Sequence, residues 1–440
     1  MGPLEYILES IDAWPLYLGL AVLFLALHFP LMRRWTIGFY DPLLLLLFTG
    51  AMSCTAVAFM FVRGDAAPVY ALSFATCQLA FYLGLGIGGA GTRRPPPPPS
   101  IAVPGSFAVW TLAVSAVTHI SATAAVWAIA GIPLFRPSRL GAFTGSGGLG
   151  ILERLSDSAG PIALFSVVYV MASQRRVRPH AGSWLFLAWY LVSVALSGSK
   201  GAFLSVLQAA LSAAYVYTAL RYQKNRFWGG RLGLVMIGLA VAFAVAVLAT
   251  QEQADLATAL TGFLVRIASY ADIYVFAYRD GLIEQIQGDN ALVAMFGGLL
   301  STFRLFPVEW LEPHIGLQFT GLVFPDLDIV AGPNPQHAVF GYHYFGLFAP
   351  LYSLVLGLLT AAVQQNLYHR RHFSFVGGLV AFLAYLSLVD ISVDFGYALS
   401  KFASALIGST LIVGLVALLH PLEPLIGRRP SKGAIAARTT

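Results

Sequence analysis

Residues 43–62 read LLLLLFTGAMSCTAVAFMFV, an apolar run of twenty residues without a charged side chain. A helix of about 20 apolar residues is long enough to cross the hydrocarbon core of a bilayer. Similar runs recur along the chain, and we count about 11 of them, near residues 14–31, 43–62, 69–88, 107–130, 159–173, 183–197, 202–220, 232–250, 338–363, 375–389 and 402–419. A transmembrane β-barrel would instead show short segments of alternating polarity. The sequence therefore predicts an all-α fold, a polytopic transmembrane helical bundle that forms a single domain over residues 1–440.

The composition is that of a membrane protein. Of the 440 residues, 58% are hydrophobic and 10% are charged, whereas a soluble domain has roughly 25% charged residues. Lysine and arginine in cytoplasmic loops explain the net charge of +6, so this charge does not indicate a nucleic-acid partner. Cys54 and Cys77 both lie in apolar runs, where we expect small packing residues and not a disulfide or a metal pair.

The charged residues predict the orientation of the chain. Every second loop is basic, and these loops contain Arg33–Arg34, Arg93–Arg94, Arg175–Arg176, the group Arg221, Lys224, Arg226 and Arg231, Arg370–Arg371, and the C-terminal Arg428–Arg429. Basic loops face the cytoplasm, which predicts that the N-terminus lies outside and the C-terminus lies in the cytoplasm. The long loop 251–336, with ten acidic residues and three arginines, is then on the outer side.

The apolar runs carry almost no ionisable side chain at mid-depth, apart from His119. Ion-coupled transporters hold the coupling ion with Asp, Glu or His near the midplane, so this pattern argues against transport. We expect His119 to bond to a neighbouring helix. Polar residues gather instead at the predicted outer ends of the spans, in four clusters.

The first cluster is the turn Ser197–Gly201, which contains Ser199 and Lys200 between two predicted spans. Its small residues let backbone amides approach a ligand and Lys200 adds a cation, so the turn is a candidate anion site. The alternative is an ordinary helical hairpin turn with a lysine that snorkels to the membrane surface.

The second cluster starts at Arg266, in a run whose apolar spacing predicts an amphipathic helix on the outer membrane face. Tyr270 follows four residues later, on the same helix face, and Arg279 lies further along the loop. A guanidinium presents several donors to phosphate. Arg266 is therefore a candidate contact either for the phosphates of a specific lipid carrier or for ordinary lipid phosphate.

The third cluster is the segment Gly332–Gly346, which joins the long loop to the next predicted span and contains His337, Tyr342 and His343. We place His337 at the outer water boundary. A histidine there can act as a base, an acid or a hydrogen-bond donor near neutral pH.

The fourth cluster is Asp390, Asp394 and Lys401, at the outer end of the last predicted hairpin. It fits either a structural ion-pair set or the support of a site. None of the four clusters has the spacing of a metal-ligand set, so we expect neither a metal nor another cofactor.

The order of these motifs resembles the bacterial O-antigen polymerase and O-antigen ligase superfamily. The resemblance rests on the Ser-Gly-Ser-Lys-Gly turn, the Val-Arg-Ile-Ala-Ser-Tyr-Ala-Asp run around Arg266, and the histidine at the end of the long loop. The family consists of multi-span glycosyltransferases that act on undecaprenyl-diphosphate-linked glycans at the periplasmic face. Its turn usually reads Ser-Arg-Gly, and Lys200 stands at the arginine position. Ligases usually carry Asn after the histidine, whereas Ala338 follows His337, which favours a polymerase.

The resemblance implies that lipid-linked repeat units are polymerised into a surface polysaccharide, such as O-antigen, capsule or exopolysaccharide. Lys200 and Arg266 would stabilise the diphosphate and His337 would activate or orient the acceptor hydroxyl. The other predicted substrate-binding residues are Ser199, Tyr270, Arg279, Tyr342, His343 and Asp394. An apolar-walled groove for the lipid is expected beside them, with a chain-length regulator and a flippase as partners. The alternatives are an O-antigen ligase, a polysaccharide or lipid transporter, and a non-catalytic assembly protein.

Overall fold

The structure is a computed structural model that describes residues 6, 11–91, 106–135, 149–173, 181–217, 231–268, 271–279, 281–288, 290–307, 310–311, 313–326, 332–369 and 374–420. These parts contain helices and turns and no strand. The α-helices are α1 (Trp14–Trp35), α2 (Pro42–Arg63), α3 (Pro68–Ile87), α4 (Ser106–Ala130), α5 (Leu149–Ser173), α6 (Ala181–Leu196), α7 (Ala202–Tyr217), α8 (Arg231–Glu252), α9 (Leu256–Ala268), α10 (Asp272–Tyr278), α11 (Ala291–Thr302), α12 (Ile315–Val323), α13 (Gln336–Phe345), α14 (Ala349–His369), α15 (Phe375–Leu388) and α16 (Phe395–Leu419).

The predicted all-helical membrane fold is confirmed, but the predicted number of spans is not. In the described residues, seven helical segments are long and apolar enough to cross a membrane, or eight if the bent pair α8–α9 is one span. The apolar helices α6, α7 and α15 are shorter, with 14–16 residues. They lie where three further spans were predicted.

The predicted span 338–363 lies within one segment that is long and apolar enough to cross a membrane, Gln336–His369. Within it, α13 and α14 are joined by a 3-10 turn at Gly346–Phe348, where Gly346 has a positive φ of 52°. The predicted span 159–173 starts earlier, at Leu149. Glu153 and Asp157 therefore lie on the first turns of α5 and not in a loop.

Helices α3 and α14 pack closely against each other, and glycines make the approach possible. A β-carbon on Gly84 would collide with the carbonyl oxygen of Leu354. A β-carbon on Gly357 would collide with the carbonyl oxygen of Phe81. Small residues at such a crossing allow two backbones to touch, which is a main source of helix association in membranes.

A fully buried carboxylate, Asp41, caps the start of α2. Its two oxygens accept hydrogen bonds from the backbone amides of Ile37 (2.9 Å) and Leu43 (3.1 Å). They also accept from the side-chain amide of Gln364 (2.9 Å) and from the hydroxyl of Tyr385. This network ties α2 to α14 and α15.

We expect Asp41→Ala to destabilise the protein strongly, because it leaves several buried donors without an acceptor. Each buried donor left without an acceptor costs about 1–3 kcal/mol, and Asp41 accepts from four donors. Asp41→Asn keeps one acceptor oxygen and should cost less. Thermal unfolding in detergent would measure both, with the exposed Asp326→Ala as the control, and a transition temperature of Asp41→Ala equal to that of the wild type would contradict the structural role.

The segments of the long loop gather at one end of the bundle, which we call the loop end. Helix α10 packs against α2, α12 and α13, and its residues form one buried cluster with the end of α2 and the start of α3. Helix α11 packs along the start of α16. The backbone amide of Gln336 donates to the carbonyl of Val393 (2.8 Å) and so joins α13 to the α15–α16 connection.

Candidate functional site

The turn Ser197–Gly201 is fastened to the end of α8. Gly198 adopts a positive φ of 65°, and its carbonyl accepts a hydrogen bond from Gln251 Nε2 (3.0 Å). Lys200 Nζ lies 3.7 Å from Glu252 Oε1. The Ser199 amide donates to the Ser197 hydroxyl (3.2 Å), so Ser199 helps to shape the turn.

Helix α9, which carries Arg266, starts four residues after Glu252. The chain bends by 112° between α8 and α9, and a β-carbon on Gly262 would lie 3.8 Å from Glu252 Oε2. Arg266 is exposed and lies four residues after Gly262, one turn further on the same helix face. We call Lys200, Glu252 and Arg266 together the cation corner: Lys200 contacts Glu252, and Arg266 lies one helical turn beyond the glycine that faces Glu252.

The predicted amphipathic helix is present as α9. Leu256, Leu260 and Leu264 are exposed along one face, while Ala259 and Phe263 pack against α8. The exposed leucines give α9 an apolar face outward, next to the exposed guanidinium of Arg266.

Asp272, at the first turn of α10, is a carboxylate close enough to Arg266 to interact with its charge. Burial raises the pKa of Asp272 to about 7, because a buried carboxylate is costly to ionise. The hydrogen bond from the backbone amide of Ile273 (2.8 Å) has the larger opposing effect on this pKa, and the charge of Arg266 acts in the same direction. Tyr270, predicted to bind substrate from this segment, lies outside the described residues.

The structure places His337 in the interior of the protein and not at a water boundary. The side chain is 6% exposed, its Nδ1 lies 2.9 Å from the Ser353 hydroxyl, and its ring stacks on Phe81 at 5.0 Å. This position favours a role in holding α13 against α3 and α14 over direct contact with a substrate.

The neighbouring Gln336, which we did not single out from the sequence, is a connecting residue. It has a positive φ of 49°, a conformation that is uncommon for residues other than glycine. Its side-chain carbonyl accepts from the hydroxyls of Tyr274 (3.0 Å) and Ser53 (3.3 Å). This strained backbone conformation is held where the contacts of Gln336 join α2, α10 and α13 at the loop end.

Two other predicted residues lie near the C-terminal end of α10. Arg279 directly follows α10, and Tyr342 lies on α13. The guanidinium carbon of Arg279 is 4.9 Å from the ring centroid of Tyr6, a cation–π contact. The hydroxyl of Tyr342 donates to Glu284 Oε1 (3.0 Å). Glu284 is a further residue that the sequence pattern did not reveal, because a single glutamate in a long polar loop carries no local signal.

Asp394 caps α16 and binds a histidine of the long loop. Its side chain accepts from the Tyr397 amide (2.9 Å), and its Oδ2 lies 2.6 Å from His314 Nε2. These contacts support the structural alternative for the fourth cluster. His343 is partly buried and packs edge-on against Tyr344 at 4.6 Å.

Lys401 lies one and a half turns into α16 and donates to the carbonyl of Leu386 (3.2 Å). The exposed carboxylates of Asp157 and Asp390 are close enough to feel its charge. His119 on α4 contacts both α5 and α6. Its ring nitrogens lie 3.0 Å from the Ser156 carbonyl and 3.3 Å from the Ser193 hydroxyl. The expected bond of His119 to neighbouring helices is thereby confirmed.

An apolar groove lies between α7 and the segment that runs from the end of α1 into α2. It has a volume of about 300 Å³ and is lined by Met32, Phe39, Leu44, Phe48, Leu204, Leu207, Leu211 and Ile237, with Tyr40 and Gln208 as polar side chains. Leu204 is four residues, or about one helical turn, after Lys200. Among the residues that the structure describes, no three His, Cys, Asp or Glu side chains are grouped as metal ligands.

Comparisons of the chain with protein-family models, with curated proteins and with solved structures gave no match. The function is therefore inferred from the fold, the site and the short motifs.

Proposed function

We propose that this protein is a membrane glycosyltransferase that polymerises undecaprenyl-diphosphate-linked oligosaccharide units into a surface polysaccharide. The observation that carries the proposal is the cation corner, in which Lys200 contacts Glu252 and Arg266 lies on the next helix, one turn beyond the glycine that faces Glu252. In our proposal these two cations bind the two charged phosphates of such a substrate.

The reaction is glycosyl transfer. A hydroxyl of one lipid-linked unit attacks the anomeric carbon of the growing chain, and the bond from that carbon to the diphosphate oxygen breaks. The electron pair leaves with undecaprenyl diphosphate, and Lys200 and Arg266 stabilise the charge that develops on it. These cations supply the stabilisation that a metal ion provides in other transferases, so the reaction is metal-independent.

The proton of the attacking hydroxyl needs an acceptor. Glu252 is the carboxylate of the cation corner and its side chain is 46% exposed, whereas His337 is buried. Glu252 therefore takes the role of general base, and His337 positions α13. In the absence of substrate, the contact between Glu252 and Lys200 holds the site together.

The apolar groove supports a lipid-linked substrate. Leu204, Leu207 and Leu211 recur at helical spacing on α7 and lead away from Lys200. A diphosphate at the cation corner would let its isoprenoid chain follow this face, where apolar contacts replace those made in the bilayer.

The site requires a matching topology. In our proposal the chain crosses a bacterial inner membrane 11 times, with the N-terminus in the periplasm, and the loop end is periplasmic. The proposal is supported by α6, α7 and α15, whose positions coincide with three predicted spans. A chain-length regulator and a flippase are the expected partners.

Purified protein in lipid nanodiscs should extend undecaprenyl-diphosphate-linked repeat units into a ladder of longer lipid-linked chains, also with a chelator present. A Lys200→Ala/Arg266→Ala double variant is the matched control. Transfer to an acceptor without an undecaprenyl diphosphate would indicate a ligase, and movement of the lipid across a bilayer without a new glycosidic bond would indicate a transporter. Loss of extension on chelation would overturn metal independence.

A further inference from the structure

Three tyrosines and a glutamate form a compact cluster at the loop end, away from the cation corner. Tyr70 and Tyr342 both donate their hydroxyls to Glu284 Oε1, at 3.3 and 3.0 Å. The ring of Tyr70 is stacked on Tyr278 at 5.3 Å, with only 4° between the ring planes, and meets Tyr342 edge-on at 5.6 Å. We call these four residues the tyrosine–glutamate cluster.

The cluster holds one carboxylate in a fixed and accessible position. Glu284 is exposed and Tyr342 is partly exposed, whereas Tyr70 and Tyr278 are buried beneath them. Both phenols use the same oxygen, Oε1, and within the described part of the chain Oε2 receives no hydrogen bond. Gly281 has a φ of 62°, and a β-carbon at this position would lie 3.3 Å from the Tyr70 hydroxyl. The absence of a side chain leaves this space beside the hydroxyl open.

A contact that served only to join helices would not need to leave the Oε2 oxygen of Glu284 accessible. The hydroxyl of Tyr278 is buried and has no hydrogen-bond partner among the described residues, so the buried layer is built around ring stacking. That layer fixes the rotamers of the groups above it, and fixed polar groups beside an aromatic edge are the features of a preorganised binding site.

We propose that the tyrosine–glutamate cluster binds the glycan part of the substrate, with Glu284 Oε2 accepting hydrogen bonds from sugar hydroxyls and Tyr342 contacting a sugar ring. A carboxylate accepts two or more hydroxyl donors, which suits a polyol better than it suits an anion. The inference rests on the proposed function, because it assigns the sugars of that lipid-linked substrate to this place.

The position of the cluster along the chain is compatible with such a substrate. Arg266 lies before α10 and Glu284 lies after it, so the short helix Asp272–Tyr278 connects the two places. The cluster would recognise sugars beyond the one attached to the diphosphate, and so determine specificity for the repeat unit.

Two measurements on the purified full-length protein test the inference. The first is binding of the free repeat-unit oligosaccharide, released from the host's own lipid-linked pool, measured by calorimetry or by saturation-transfer NMR. The second is chain extension at varied concentrations of the lipid-linked unit, which separates KM from kcat. The variants are Glu284→Ala and Glu284→Gln, with Asp326→Ala as the control for loss of one exposed carboxylate in the same loop.

We expect Glu284→Ala to weaken oligosaccharide binding and to raise KM by about tenfold or more, as expected when hydrogen bonds to a charged group are lost. The change in kcat should be small, and Glu284→Gln should fall between the wild type and Glu284→Ala. The inference would be overturned if a folded Glu284→Ala or Glu284→Gln protein kept the oligosaccharide affinity or the KM of the wild type. If the wild type binds the oligosaccharide through Glu284 but never extends chains, the proposed function fails and the glycan site stands.

Discussion

Replacing Arg266 by alanine should reduce polymer formation by about 100-fold or more, the loss typical when one preorganised charge-stabilising group is removed from a transition state. Arg266 is exposed on the last turns of α9, so its removal leaves the packing of α9 on α8 intact. The protein should accumulate to the normal level while single lipid-linked units build up. Electrophoresis of the polysaccharide and analysis of the lipid-linked glycans would measure the two effects.

Matched variants separate loss of this guanidinium from loss of any positive charge. Arg266→Lys keeps the charge but not the planar fork of donors, so we expect partial activity. Arg304→Ala removes an exposed arginine of the same loop and should leave chain length normal. If Arg266→Ala, at a normal protein level, still produced normal long chains, the assignment of the cation corner as the diphosphate site would be contradicted.

Replacing Gly84 by leucine should prevent folding of the bundle. A β-carbon at Gly84 would meet the Leu358 amide nitrogen at 2.9 Å and the Gly357 α-carbon at 3.0 Å, besides the carbonyl oxygen of Leu354. These are backbone atoms of α14, which cannot move aside as a flexible side chain can. Overpacking of this kind costs about 3 kcal/mol or more, and the glycine crossing is lost with it.

Gly414→Leu is the matched control, because Gly414 lies on α16 with no atom within 4 Å of a β-carbon. It introduces the same side chain into open space on a helix of similar composition. Fluorescence-detected size-exclusion chromatography would show loss of the monodisperse peak for Gly84→Leu and its retention for Gly414→Leu. A monodisperse Gly84→Leu protein with an unchanged transition temperature would show that the contact of α3 with α14 is looser than described.

The sequence predicted the helices well where hydrophobicity is local and continuous. It also predicted α9, because Leu256, Leu260 and Leu264 recur at helical spacing. It placed His337 wrongly at a water boundary, since the residues that cover it, Phe81 and Ser353, come from other helices. Polar residues near the end of a span look alike in sequence whether they face water or another helix.

The partners of the candidate site were less predictable. Lys200 and Arg266 were singled out by their motifs, but the contact of Lys200 with Glu252 and the placement of α9 beside Glu252 depend on the tertiary structure, including the 112° bend between α8 and α9. Glu284 could not be recognised, because the tyrosines that bind it are 214 and 58 residues away along the chain. Only the packing of α3, α10 and α13 brings these residues together.

The sequence by itself determined that this chain is a helical membrane protein and where its apolar helices lie, because the transfer of about 20 apolar residues into lipid depends on those residues alone. The tertiary structure decided which polar side chains are buried and which meet at an accessible place. That outcome depends on contacts between distant segments and on how closely glycines allow the helices to approach. The cation corner, the buried Asp41 and the tyrosine–glutamate cluster all arise in this way.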